Sequence, residues 1–227
     1  MRNHHFFKLW VVAFLLYFLS GCATFRSELQ GKLASTPEKN YNAKPVGVCF
    51  VFSHYRMVKG MDVIPKLENQ HERIDGFDDL FLDAMKEFSN IKNYDTYTNY
   101  SSDVNDSKRR QLKDSLISKN DFLVDVRIVR QKSFSKHFFA VLGSSISATV
   151  LPMPYKIEFS IEVNVFDHNR ILVKAYKRNA SITKWVETFM IFLYPFYPQD
   201  RVREELYVEF LHDIFKQIES EKTLKID

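Results

Sequence analysis

Cysteine, glycine and proline are scarce in this chain, and each scarcity removes a class of protein. Two cysteines among 227 residues cannot build a disulfide-dense scaffold. Six glycines and seven prolines argue against collagen-like tracts, repeats and glycine-rich loops that cradle phosphate. No G-x-S-x-G or H-E-x-x-H pattern occurs, so the common signatures of serine and zinc hydrolases are missing. Charge of one sign is also missing. There are 32 basic and 28 acidic residues, and Arg2 and Lys8 sit ahead of an apolar leader, so a nucleic-acid binder is not implied. The uninterrupted apolar run Leu9–Leu19 is well short of the ~20 residues that span a bilayer.

What the chain does have is core material: 45% hydrophobic residues and 21 phenylalanines. It also has an amino-terminal address. Arg2 and Lys8 flank Leu9–Leu19, and small residues follow, which is the pattern of a secretory signal peptide. Leu19-Ser20-Gly21-Cys22 resembles the bacterial lipobox. The resemblance implies diacylation of Cys22, cleavage before it, and membrane attachment through the lipid. Ala23, a residue other than Asp after that cysteine, implies sorting to the outer membrane, facing the periplasm. With Cys22 so occupied, Cys49 has no partner and reads as a small buried hydrophobe.

The expected organisation is therefore a signal peptide over 1–21, a flexible tether over 22–44 and one domain over 45–227. Val46–Ser53 reads as a strand apolar on both faces. His54 to Pro65 reads as a loop, whose His54, Tyr55 and Arg56 are the best small-ligand candidates. Phe77, Leu80, Phe81, Ala84, Met85 and Phe88 recur at helical spacing, with Asp75 as cap. A weak strand at Tyr94–Tyr100 and a helix at about 107–118 follow. Phe122 to about Lys132 is a third strand. Tyr155–Val165 alternates strictly, turns at Asp167-His168-Asn169-Arg170 and returns over Ile171–Thr183 as a hairpin. An amphipathic helix from about Asp200 to Lys222 closes the chain. Helical crossovers imply parallel early strands and the hairpin adds antiparallel ones. The fold class is α/β, bordering on α+β: a single mixed sheet, strand-helix-strand-helix-strand-hairpin-helix, with helices packed on it.

Two apolar insertions interrupt this pattern, at about 137–154 and 185–198. Each is too short for a transmembrane helix and suits a membrane β-strand or an interfacial loop. The hairpin brings both to one end of the sheet. Phe138, Phe139, Trp185, Phe189, Phe192, Tyr194, Phe196 and Tyr197 would form an apolar patch there that needs a partner.

Taken with Leu19-Ser20-Gly21-Cys22, the Val46–Phe52 strand, the Phe77–Phe88 helix and the apolar insertions around a late hairpin, the element order resembles a group of envelope lipoproteins: the amino-terminal domain of TolB, the LpoB-type synthase activators and the curli secretion lipoprotein. The resemblance implies an α/β periplasmic unit. The function expected is that of a non-enzymatic outer-membrane lipoprotein, an accessory or assembly subunit of a cell-envelope complex working through its apolar loop pair. Its partners would be the membrane, through lipid on Cys22, and an envelope protein or further copies of itself, with no nucleic acid. No cofactor or metal is expected. Binding of a lipid or small apolar ligand, and a ring-forming secretion pore, remain alternatives.

Overall fold

Strict alternation places Val124, Val126 and Ile128 on one face of a strand and Leu123, Asp125 and Arg127 on the other, and the sheet is organised by such strands. In the computed structural model, residues 21–34, 39, 43–60, 64–70, 76–146, 153–187 and 199–226 are described. Their elements run β1 (Gly21–Arg26), β2 (Val46–Lys59), β3 (Pro65–Gln70), α1 (Phe77–Ala84), β4 (Ile91–Thr98), α2 (Ser107–Lys119), β5 (Phe122–Ser133), α3 (Phe134–Ile146), β6 (Met153–Phe166), β7 (Leu172–Glu187) and α4 (Gln199–Ser220). The strands form one seven-stranded mixed sheet in the order β1-β7-β6-β5-β2-β3. β4 pairs with the first half of β2, and β3 with its second half. β2 is parallel to both β4 and β5, as crossover helices require, while β5-β6-β7 and β1 are antiparallel. The α/β class expected from the sequence is the observed one.

The main core lies on one face, under α1 and α4. Phe50 meets Phe81 edge-on at 5.0 Å between ring centroids, and Phe215 of α4 closes on Phe88 at 4.9 Å. Val124, Val126, Ile161 and Val163 floor this layer, each without exposed surface. Burial of each such aliphatic side chain contributes about 1.5–3 kcal/mol. The other face is covered only in part, where Leu116 and Ile117 of α2 pack on Cys49, Val51 and Tyr97. Leu112, on the same helix, is exposed. Asp103 locks this corner. Its carboxylate accepts from Tyr97 Oη at 2.7 Å, Tyr100 N at 3.0 Å and Arg109 Nε at 2.5 Å. Asp106 caps α2, accepting from the backbone N–H of Lys108 and Arg109.

Several boundaries differ from expectation. β2 runs on to Lys59, so His54, Tyr55 and Arg56 belong to a strand and not to a loop. β3 is a polar edge strand with no apolar alternation to announce it; its only order comes from pairing with Tyr55–Lys59. α1 begins at Gly76, whose φ of 70° is a left-handed value that suits glycine. Asp75, the expected cap, lies outside the described residues.

The largest correction concerns the tether at 22–44. Its first residues form β1, hydrogen-bonded along β7 from Gly21↔Glu187 to Arg26↔Ile182. The chain then crosses α4 as a strap. Ser27 N donates to Ser181 O at 2.8 Å and Gln30 N to Asn179 O at 2.9 Å. Leu29 is buried in the main core. Arg26 and Lys32 both reach Glu209, at 2.5 and 2.8 Å. The polar composition that suggests a tether instead supplies the side chains of the strap. Leu33 N donates to Asp213 Oδ1 at 2.9 Å, and Asp213 also holds Arg178 of β7 at 2.7 Å, both charges buried.

Candidate functional site

Phe134 follows Ser133 directly, so the chain passes from the end of β5 into α3 with no loop. The first apolar insertion, at 137–154, is therefore neither a loop nor a membrane strand over most of its described length. It is a helix up to Ile146, and Met153 already opens β6. Helix formers Lys136, Ala140 and Leu142 decide the matter, together with the lack of the strict alternation that a strand with one apolar face needs. Gly143 packs against Met153 of β6: a Cβ there would stand 2.7 Å from Met153 Cε, the movable end of that side chain.

α3 is covered on a narrow strip only. Ala140 is buried, and His137 meets the Tyr155 ring edge-on at 4.7 Å. Partial burial lowers the His137 pKa, and the charges of Lys132 and Lys184 lower it further. Around that strip, Phe134, Phe138, Phe139, Val141, Leu142 and Ile146 are all exposed, Phe139 by 60% and Ile146 by 79%. The rings form a chain of contacts, Phe134 on Phe138 at 6.1 Å and Phe138 on Phe139 at 5.6 Å. Ile64 and Leu67, around the start of β3, are exposed as well.

Register places all of this at one end of the sheet. Lys59 pairs with both Ser133 and Pro65, Lys132 with Ile157, and Met153 with Val186. Cys22 pairs with that same Val186 from the other side. Lysines fringe the apolar surface: Lys136 on α3, Lys132 at the end of β5 and Lys184 near the end of β7, whose ammonium lies 5.8 Å from the Tyr155 ring centroid.

Of the aromatic residues expected to form the patch, Phe138 and Phe139 are where the sequence suggested, exposed at the end of the sheet. Trp185 is half-buried in β7, paired with Ala23 and Pro154. Phe189, Phe192, Tyr194, Phe196 and Tyr197 lie outside the described residues. Phe134, Val141, Leu142 and Ile146 join the surface although the sequence reading did not single them out. The signal was present, since 134, 138, 141 and 145 fall at the spacing of one helical face and 139, 142 and 146 on the adjoining one.

The other candidates have structural roles. His54 is buried, its ring edge-on to Phe77 at 5.0 Å. Asp121 accepts from Gly47 N at 2.7 Å, and Asp125 pairs with Arg127 at 2.8 Å. Cys49 is a free, buried cysteine, and burial with the nearby Asp95 carboxylate pushes its thiol up to about 11. That suits a packing residue and not a nucleophile. Among the described residues no group of three or more His, Cys, Asp and Glu side chains is gathered as a metal would need. Two clefts open on the uncovered sheet face. One, of about 430 Å³, is lined mostly by polar residues such as Ser27, Gln131, Glu158 and Asn179. The other, of about 470 Å³, carries Arg110, Lys113, Arg127 and Arg170 with Asp114 and Asp125. In it Arg127 bonds to Asp125 and Arg170 lies 3.5 Å from Asp114.

No family model matches the chain, and no curated protein matches it. Among solved structures it is similar to the PelC dodecamer from Paraburkholderia phytofirmans, at 9% identity with a TM-score of 0.31, over 86% of this chain and 97% of that one. A single-substitution variant of the same dodecamer overlaps at 9% identity and a TM-score of 0.30, over 86% and 99%. Overlap at that level leaves the function to be argued from the residues of this chain.

Proposed function

We propose that this chain is a lipid-anchored envelope protein that works by contact and not by catalysis. It would be carried to the outer membrane by its Leu19-Ser20-Gly21-Cys22 box and held there, on the periplasmic side, as an accessory or assembly subunit of a cell-envelope complex. The observation that carries this reading is the register of β1. Cys22, the residue that would bear the acyl chains, is fixed at the sheet end from which the apolar helix α3 emerges. Anchor and apolar surface then act at one place. Two acyl chains suffice for stable attachment, so the uncovered sheet face and the hairpin at Asp167–Ile171, at the opposite end, are left to meet a partner. Ile171, Leu172 and Val173 are exposed at that hairpin.

Chemical cross-linking in intact envelopes tests this reading. The expected result is a discrete adduct, with a second envelope protein or as a ladder of this chain, that weakens when Cys22→Ser removes the lipid anchor. A protein that stays an uncross-linked monomer in intact envelopes contradicts it.

A further inference from the structure

We infer that the exposed face of α3 lies in the headgroup region of a phospholipid leaflet, beside the acyl chains on Cys22, and so fixes how the domain stands on the membrane. The inference deepens the reading of Cys22 as the anchor, and the third observation below, from position, rests on that reading. Three observations choose lipid over protein as the occupant.

Length is the first. At 13 residues α3 is about 20 Å long, too short for a hydrocarbon core of ~30 Å, and among the described residues no helix is long and apolar enough to cross. A short helix with exposed Phe134, Phe138, Phe139 and Leu142 is matched to lying in the interface plane. Charge is the second. Lys132, Lys136 and Lys184 border the apolar face, and long cationic side chains beside exposed aromatics complement phosphate headgroups. A second copy docked through the same face would bring three lysines against three, which is unfavourable. The third is position. β1 holds Cys22 one strand away from Met153, so acyl chains entering a leaflet draw the sheet end, and α3 with it, against the headgroups. Ile64 and Leu67 at the same end widen the contact.

The test uses the mature-length Cys22→Ser chain, which carries no lipid, in sedimentation with vesicles of phosphatidylethanolamine and phosphatidylglycerol. Binding is expected, and Phe139→Ser combined with Leu142→Ser should weaken it by at least about tenfold, since each exposed side chain adds apolar area to the contact. Lys136→Glu should weaken it too, and added salt should then matter less. All three side chains are exposed, so circular dichroism should be unchanged. A folded Cys22→Ser chain that ignores these vesicles overturns the inference, as does equal binding by the Phe139/Leu142 variant. Self-association of the Cys22→Ser chain that the same two substitutions abolish, without vesicle binding, also overturns it and assigns the face to a second copy. The anchor is judged separately. Wild-type protein that fractionates with membranes through Cys22 while the Cys22→Ser chain ignores vesicles keeps the anchor and refutes the α3 contact, and the reverse pattern does the opposite.

Discussion

Cys22 stands opposite Val186 in the ladder between β1 and β7, so the lipid proposed for Cys22 would have no slack between it and the domain. A flexible tether of some twenty residues would let the domain range over about 25 Å. With β1 paired along β7 and the strap laid across α4, Cys22 is held at the sheet end. If Cys22 carries the proposed lipid, α3 beside it faces the membrane.

The strap should therefore be part of the folded core. Leu29→Ala removes a buried side chain that ties the strap to the domain. A loss of about 2–4 kcal/mol is expected, read from the urea unfolding midpoint. Arg26→Ala and Lys32→Ala touch a more exposed ion-pair cluster on Glu209 and should each shift the midpoint far less than Leu29→Ala does. A strap that only rests on the surface would make all three changes equally mild.

The Arg178–Asp213 pair should behave as a buried ion pair whose partners need one another. Asp213→Ala leaves the Arg178 guanidinium charged and desolvated and frees Leu33 N as well. A loss of about 3–5 kcal/mol is expected. Arg178→Met with Asp213→Leu should recover most of it, because no uncompensated charge remains. Thermal unfolding of the three chains side by side checks this, and additive losses in the double variant would contradict it.

Asp103 makes stability depend on acid. Burial alone would raise its pKa, but hydrogen bonds from Arg109, the Tyr100 backbone and Tyr97 outweigh that and hold it at about 2, against 3.8 for a free Asp. A depressed folded pKa means that the stabilisation is complete above pH 4. It is lost as pH falls through the interval from about 4 to 2, an effect on the order of 2 kcal/mol. Asp103→Asn should flatten that limb of the stability curve, measured by urea unfolding across pH. An unchanged acid limb would remove Asp103 from the account.

What could be read from the sequence follows from which signals are local. The alternation of Tyr155–Val165, the helical spacing of Phe77–Phe88 and the stripe of α4 are periodic, and each gave the right element, to within a few residues. β3 and β1 carry no such period. Pro65–Gln70 and Gly21–Arg26 are strands because a partner strand offers them hydrogen bonds, which no local pattern encodes. α3 was misread because Phe138 to Leu142 is apolar on successive residues, and a short apolar run does not separate helix from strand. Of the candidate surface, Phe138 and Phe139 were legible as exposed aromatics. The lysine fringe was not, since Lys132 and Lys184 come from two strands that only the register brings to one place.

The central claim is that Cys22 carries the anchor, and mass spectrometry of the amino-terminal peptide of protein extracted from membranes tests it most directly. The expected result is a peptide that starts at Cys22 and carries the mass of acyl chains, with no acylated amino terminus in Cys22→Ser. An amino terminus elsewhere, or an unmodified Cys22 in membrane-bound protein, would contradict it.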